Sequence, residues 1–333
     1  MRFLFLVNDT DAIQPSQTTA LLIAAAARHH SVWVAAVGDL SGRSDRRPWA
    51  YAKQLPPAPY DNLGAMTAAI ATLPAEPLPL DGATLDCLFI RTNPARDLAR
   101  SATHQTALAL TRLAQDRGVQ VINQPDGLIR AATKLYLLEL PEFTYPPTLV
   151  SQNRTEIFDF IKDLRCPAVL KPLQGTRGND VFFVSSEADK NLNQMIDVIG
   201  RQGLVMAQKC IPGAEAGDTR VVVMNGEILE ISGKPAAVHR VPGQGDFRSN
   251  LHAGGTAKPG VVTHAMRQVV TAISEKLVSD GLFLVGLDFI GNQLMEINVF
   301  STGGLLHAER FTGMAFAEQV IEWAVSSSHS IHR

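Results

Sequence analysis

The sequence predicts an α/β protein of more than one domain that opens with a parallel α/β unit. Three observations carry this. A chain of 333 residues exceeds what a single hydrophobic core sustains, so two or three domains are expected. Its start, strand "RFLFLVN" (2–8), helix "PSQTTALLIAAAARHH" (15–30) and strand "SVWVAAVGDL" (31–40), follows the order that builds a parallel unit. After Pro125 the pattern changes to short helices and hairpin signals, and from residue 204 it turns strand-rich. The expected boundaries are 1–125, 126–203 and 204–330.

Within the first segment, the Pro-rich stretch "WAYAKQLPPAPYDN" reads as surface loop. "TLDCLFIRTNP" (84–94) is a further strand. The helix "LARSATHQTALALTRLAQDRG" and the strand "VQVINQP" close the unit near Pro125. In open α/β sheets ligands sit at the strand ends, which places Asn8, Asp9, Arg91 and Asn123 at one rim. No G-x-G-x-x-G follows the first strand, so a dinucleotide cofactor is not indicated. Alone, this segment reads as a structural domain with polar strand ends.

Beyond it, "GLIRAATKLYLLEL" (127–140) reads as helix, "PPTLVSQN" as extended chain and "RTEIFDFIKDL" as helix. "PAVLKPLQGTRGNDVFFVSS" is strand, glycine loop, strand, and "LVMAQKCI" runs into a Pro212-Gly213 turn. "TRVVVMNGEILEISG" is a hairpin through Asn225-Gly226, a dipeptide that favours the tight turns of hairpins. A glycine-rich loop (241–260), a helix (263–280), a second hairpin "GLFLVGLDFIGNQLMEINVFST" (281–302) and a helix over 312–325 complete the chain.

Composition narrows the function. Apolar residues make up 46% and charged residues 19%, as in soluble globular enzymes. A net charge of −2 offers no electrostatic footprint for nucleic acid or an acidic membrane. Cys87, Cys166 and Cys210 are far apart and form no C-x-x-C pair, so they read as packing residues rather than disulfides or zinc ligands. The first apolar run meets polar residues at Asn8, too early for a signal peptide. The longest, "ALLIAAAA" from Ala20, is far short of a membrane span. A cytoplasmic protein is expected.

The second hairpin carries the clearest chemistry. Side chains alternate along a strand, so Glu296 and Asn298 share a face. Pairing Asp288 with Glu296 puts Phe289 opposite Met295, Leu287 opposite Ile297 and Val285 opposite Val299, which gathers the apolar pairs on the other face. It also requires an odd-length loop around Gly291, Asn292 and Gln293. Two carboxylates and an amide on one face repel unless a cation joins them, and hard oxygen ligands suit Mg²⁺. On such a face, Asp288→Asn and Glu296→Gln are expected to spare the fold. A solvated face with accidental acids fits the same residues.

Two further clusters are weaker singly. In "AVLKPLQGTRGNDVFFV", Lys171 ends a strand beside Gly175 and Gly178, where backbone N–H groups and an ammonium can meet phosphate oxygens. An ordinary β-hairpin also fits. Lys134 by itself reads as a snorkelling surface lysine. The loop "AVHRVPGQGDFRSNLHAGG" sets Arg240, Arg248 and Asn250 where they can close over an anionic substrate. His239, His252 and His307 lack metal-ligand spacing, and no nucleophile–His–acid triad is evident.

Taken in order, "VINQPDGLIRAATKLY", "VLKPLQGTRGNDVFFV", "MAQKCIPGAEAGDTRVVVMNGEI", "RVPGQGDFRSNLHAGGTAKP" and "LVGLDFIGNQLMEINV" resemble the ATP-grasp superfamily, and within it bacterial glutathione synthetases. The resemblance spans nearly the whole chain. It implies an ATP-grasp fold behind an N-terminal Rossmann-like domain, and a homo-oligomer. It implies ATP and two Mg²⁺ (or Mn²⁺) as cofactors, with the metals on Asp288, Glu296 and Asn298. Lys134, Lys171 and the loop Gly175 to Gly178 would contact phosphates. Gln208, Lys209, Cys210 and Ile211 would line the adenine pocket, with Asp218 near the ribose. Arg220, Arg240, Arg248 and Asn250 would hold the reacting carboxylate and transferred phosphate. Arg91, Ser301, Gly303 and Gly304 would contact substrate, a γ-glutamylcysteine-like dipeptide or a glycine-like amine. The implied activity is amide formation through an acyl phosphate. A ligase with another dipeptide or amine, an ATP-grasp kinase and a non-catalytic ATP-binding regulator are the rivals. The chain departs from the family after Asn298, where "FSTGGLLHAE" puts Thr302 in place of a proline at the expected acceptor site, and where "GTRG" replaces a glycine-richer run.

Overall fold

The computed structural model describes residues 1–175, 180–243 and 255–331. The strand Arg2–Val7 is buried at every residue but its first, because a parallel strand covered on both faces has no side for polar residues. It pairs in parallel with Ser31–Ala36 and with Cys87–Ile90, and the latter pairs with Gln120–Ile122. The helices Thr18–Ala27 and Ser101–Asp116 lie between paired strands in the chain, as parallel connections require.

Beyond Ser31–Ala36 the sheet turns antiparallel, a departure from expectation. Residues Pro48–Leu55 form a strand, not a loop, and pair with Ser31–Ala36, Leu40–Gly42 and Ala75–Pro79 to complete seven strands. Ala50, Ala52 and Leu55 point inward. Small alanines make a faint two-residue alternation, and the prolines that follow obscure it. The strand Ala75–Pro79 tolerates its own prolines because it lies at an edge.

The central lobe is a four-stranded antiparallel sheet, in the order Phe182–Val184, Ala168–Pro172, Val205–Lys209, Thr148–Ser151. Helices Arg154–Leu164 and Leu192–Gly200 cover it, and Ile157, Ile161, Leu170, Ile196, Ile199 and Val205 form a core of its own. Asn153 caps the first helix by accepting from the Thr155 and Glu156 amides. The expected helix 127–140 is two pieces, Pro125–Arg130 and a 3₁₀ segment Lys134–Glu139, whose start Thr133 caps by accepting from the Leu135 amide.

The third sheet runs in the order Thr256–Pro259, Ala237–Val241, Asp218–Met224, Leu284–Ile290, Gln293–Asn298. The expected Asn225-Gly226 hairpin is present, with both residues at positive φ (50° and 79°), as a type I′ turn demands. Helix His264–Ser279 packs its Val269, Val270, Ile273 and Leu277 into the cluster that holds Val221, Val223, Val285 and Leu287. Gly286 and Asp288, alternating with these, face the opposite way. The expected helix 312–325 begins later and runs further, as Phe316–Ile331, and a separate helix Leu305–Thr312 precedes it and stops at Gly313 (φ +70°), a common helix stop. Among the described residues no helix is long and apolar enough to cross a membrane.

The second hairpin keeps the expected pairs Asp288–Glu296 and Leu287–Ile297 and adds Gly286–Asn298. The register then slips, and Phe289 lies opposite Leu294, not Met295. The expected odd-length loop is thus a two-residue turn at Gly291-Asn292 followed by a bulge at Met295. A bulge inserts the same extra residue that an odd loop would have supplied. The ladder ends at Asn298, so no Val285–Val299 pair forms.

Candidate active site

Four strands of the third sheet deliver the carboxylate side of the site. Asp288 lies directly opposite Glu296 on one neighbouring strand and Arg220 on the other, which puts all three side chains on the face turned from helix His264–Ser279. Arg220 binds the Asp288 carboxylate with both Nε and Nη2, the latter at 2.7 Å. Arg240 reaches it at 2.9 Å while holding Asp218 through two bonds of 2.6 Å. Asn298 Nδ2 donates to Asp288 Oδ2 at 3.1 Å. Burial alone would raise the Asp288 pKa, yet the two guanidinium groups hold it down to about 2. Burial works against the charge of Arg240, but Asp288 and Asp218 carry its pKa well above the ordinary value. Sequence reasoning left the acids of this face without cationic neighbours; two arginines from adjacent strands in fact stand among them.

Lys134 and Lys171 meet at the same place. Lys171 is buried, donates to Gln208 Oε1 at 2.9 Å and lies 3.5 Å from the Met295 carbonyl. Burial, and then the neighbouring charge of Lys134, depress its pKa to about 8. Lys134 Nζ sits 3.2 Å from Glu296 Oε1 and 3.4 Å from the Gly175 carbonyl. Two ammonium groups from the central region and hinge therefore face the carboxylate hairpin, a setting for a polyanion.

Among the described residues no three His, Cys, Asp or Glu side chains form a metal cluster. Asp288, Glu296 and Asn298 nevertheless fit Mg²⁺: two acids and an amide oxygen on one sheet face leave positions for phosphate oxygens. Glu296 is about a third exposed, at 35%, and open to a ligand.

The other expected residues have these partners within the chain. Gln208 is fully buried, with its Nε2 on Thr148 Oγ1 at 2.8 Å, so its side chain supports Lys171. The amides of Lys209 and Cys210 are bound to the Pro147 and Pro167 carbonyls, and the Ile211 carbonyl accepts from Ala214. Arg91 is buried, with Nη2 on the Thr302 carbonyl (2.7 Å) and Nε on Thr19 Oγ1 (3.3 Å). Burial pulls its pKa down to about 10. It is a strut between the first sheet and the segment after the hairpin. Ser301 donates its amide to Thr92 O, the Gly303 carbonyl accepts from Arg220 at 3.4 Å, and Gly304 (φ +116°) caps helix Leu305–Thr312. Gly178, Arg248 and Asn250 lie outside the described residues.

Sequence reasoning missed the part played by Asn123. Its amide group donates to the Leu284 and Val299 carbonyls and accepts from the Leu284 amide, pinning both ends of the hairpin to the first sheet. Only its place at a strand end signalled it.

The fold is shared with solved ATP-grasp structures. D-cycloserine synthetase DcsG superposes with a TM-score of 0.61 at 16% identity, over 97% of this chain and 99% of that one. The macrocyclase MdnC of Microcystis aeruginosa, solved with its precursor peptide, gives 0.61 at 13%, over 97% and 99%. An ATP-grasp domain model matches residues 133–313, and with this fold the chain is an ATP-dependent ligase of the ATP-grasp class. "Prokaryotic glutathione synthetase, N-terminal domain" matches residues 1–129 and "Prokaryotic glutathione synthetase, ATP-grasp domain" residues 133–313. Relatives named glutathione synthetase include those of Synechococcus elongatus (33% identical, 96% of this chain and 97% of that one) and Gloeobacter violaceus (33%, 98% and 97%). A third, from Nitrosomonas europaea, is 32% identical over 97% of each. The chain belongs to the prokaryotic glutathione synthetase family.

Proposed function

We propose that this chain uses Mg²⁺-ATP to join a γ-glutamylcysteine dipeptide to glycine, giving glutathione, ADP and phosphate. Full-length similarity to glutathione synthetases supports the reaction. The observation that carries the mechanism is the convergence of Lys134 and Lys171 on the face that holds Asp288 and Glu296.

A carboxylate is a poor electrophile. Its oxygen first attacks the γ-phosphorus of ATP, and ADP leaves. The amine then attacks the acyl carbon of the resulting acyl phosphate, phosphate departs with the C–O bond electrons, and the amine loses a proton. Such steps need positioning and charge neutralisation more than a nucleophilic side chain, in keeping with the lack of a triad. Lys171, oriented by Gln208, and Lys134 hold phosphate oxygens. Asp288, Glu296 and Asn298 would hold Mg²⁺, which when bound neutralises phosphate charge. Arg220 and Arg240 would hold the transferred group; the same role expected of Arg248 and Asn250 falls outside the described residues. Asp218, expected near the ribose, also orients the Arg240 guanidinium. The Lys209 to Ile211 backbone borders the base. Ser301, Gly303 and Gly304 line the acceptor side, and Arg91 holds that segment from behind.

The test is ADP release from Mg²⁺-ATP and γ-glutamylcysteine with and without glycine, with the product identified by mass. Glycine-dependent ADP release with the mass of glutathione is expected. Phosphoryl transfer without amine dependence would favour a kinase and sink this assignment. Thr302, where the family resemblance implies a proline, favours a second reading in which the acceptor is another amine; activity with that amine alone would establish it.

A further inference from the structure

Thr302 holds a buried hydroxyl that nothing uses. The residue is 2% exposed, and among the described residues its Oγ1 has no hydrogen-bond partner. An unpaired buried hydroxyl destabilises the state that contains it. The backbone of Thr302 is not free to relieve this, since Arg91 Nη2 holds its carbonyl at 2.7 Å.

The hydroxyl stands beside a particular guanidinium. A Cβ added at Gly286 would collide with Thr302 Oγ1 and would lie 2.8 Å from Arg220 Cδ and 3.1 Å from Arg220 Nε. Thr302 Oγ1 and Arg220 Nε thus flank the same bare glycine, on the face that carries Asp288. At present Arg220 Nε donates to Asp288.

The two arginines on Asp288 are not equivalent. Arg240 also holds Asp218 through two 2.6 Å bonds, so it keeps a carboxylate if Asp288 is taken. Arg220 has no second carboxylate among the described residues, only the Gly303 carbonyl at 3.4 Å from its Nη1. A cation that claims Asp288 takes the partner of the Arg220 Nε–H, and an unpaired acceptor stands on the other side of Gly286.

We propose that Thr302 is a positioning residue for Arg220. When a divalent cation occupies Asp288, the Nε–H of Arg220 passes from Asp288 to Thr302 Oγ1, and the guanidinium stays on the catalytic face with its Nη groups turned to substrate. The hydroxyl is idle in the cation-free enzyme and satisfied in the loaded one. This rests on the assignment of Asp288 as a metal ligand.

Thr302→Val keeps the shape and removes the acceptor; Thr302→Ser keeps the acceptor. Mn²⁺ binding would be followed by the electron paramagnetic resonance of free Mn²⁺, in the presence of a non-hydrolysable ATP analogue. Thermal unfolding of the same proteins would be followed without metal. Thr302→Val should bind Mn²⁺ about tenfold more weakly, the loss expected for one hydrogen bond to a charged group. Its metal-free melting temperature should be unchanged or higher, since an unpaired group is gone. Thr302→Ser should bind as the wild type does. A merely structural residue would lower stability and binding together, and that result overturns the proposal, as does Thr302→Val with wild-type Mn²⁺ affinity. A wild type that binds no Mn²⁺ would overturn the metal assignment itself and this inference with it.

Discussion

Lys134 Nζ lies 3.2 Å from Glu296 Oε1, and the pair joins the hinge segment to the hairpin across the proposed nucleotide cleft. The same ammonium approaches the Gly175 carbonyl at 3.4 Å, so a single side chain links its own segment to two others that the proposed function closes on ATP. Lys134→Met should lower kcat/KM for ATP on the order of a hundredfold, as loss of one preorganised charge on a phosphoryl group does. Lys134 is largely shielded but carries no core packing, so the melting temperature should hold. Steady-state kinetics at varied ATP checks this; wild-type kcat/KM would remove Lys134 from the phosphate site.

Asp288 and Glu296 are both proposed metal ligands, yet their substitutions should differ. From the sequence, Asp288→Asn and Glu296→Gln are expected alike to spare the fold. The structure alters the first half of that expectation. Asp288 is buried and neutralises Arg220 and Arg240, and breaking such a buried pair typically costs about 3 kcal/mol or more. Glu296 is partly exposed and pairs with Lys134. Both variants should lose turnover by orders of magnitude, but only Asp288→Asn should shift the urea midpoint downward. Equal midpoints would show that the arginine network adds nothing to stability.

How much of this was legible depends on the range of each interaction. The strands, the Asn225-Gly226 turn and the pairing of Asp288 with Glu296 follow from alternation within short stretches, which the sequence displays. The strand Pro48–Leu55 was hidden because its inward residues include Ala50 and Ala52, too small to stand out beside prolines. The bulge at Met295 was hidden because an odd loop and an even loop with a bulge restore the same facing. The arginines on Asp288 come from strands 68 and 48 residues away in the chain, and no local pattern announces a partner at that distance. Asn123 binds a strand 161 residues further on, for the same reason beyond reach.

Lys171 should give nucleotide affinity an alkaline limit. Burial lowers its pKa from the ordinary lysine value to about 8, so the folded chain sheds this proton before the unfolded one. Between about pH 8 and the ordinary lysine range the unfolded state binds more protons, and the contribution to stability rises with pH. Nucleotide binding takes the opposite sign, because neutral Lys171 cannot pair with phosphate. The Kd for ADP should rise as pH passes 8, and in Lys171→Arg it should not, since arginine stays charged. A flat wild-type profile from pH 7 to 9.5 would mean that Lys171 keeps its charge.

Asn123→Ala should uncouple the hairpin from the first sheet. Three buried hydrogen bonds to Leu284 and Val299 are lost, and each backbone group left unpaired costs roughly 1–3 kcal/mol. A drop of several degrees in melting temperature is expected, with a fall in kcat because Asp288 and Glu296 ride on the loosened strands. Full activity at reduced stability would show that the hairpin holds its shape without the clamp.

Gly286→Ala probes the crowded row beside Asp288. The new methyl would strike Thr302 Oγ1 and press on Arg220 Cδ at 2.8 Å, and overpacking of this kind typically costs about 1–3 kcal/mol. If the hydroxyl is the main obstacle, Thr302→Ala in the same chain removes it, and the double variant should be more stable than Gly286→Ala alone. Residues in contact depart from additivity in this way, whereas distant ones do not. Chemical denaturation of the four proteins in the cycle measures the coupling. Additive effects would separate Gly286 from Thr302 and leave the Arg220 stem as the group that requires glycine.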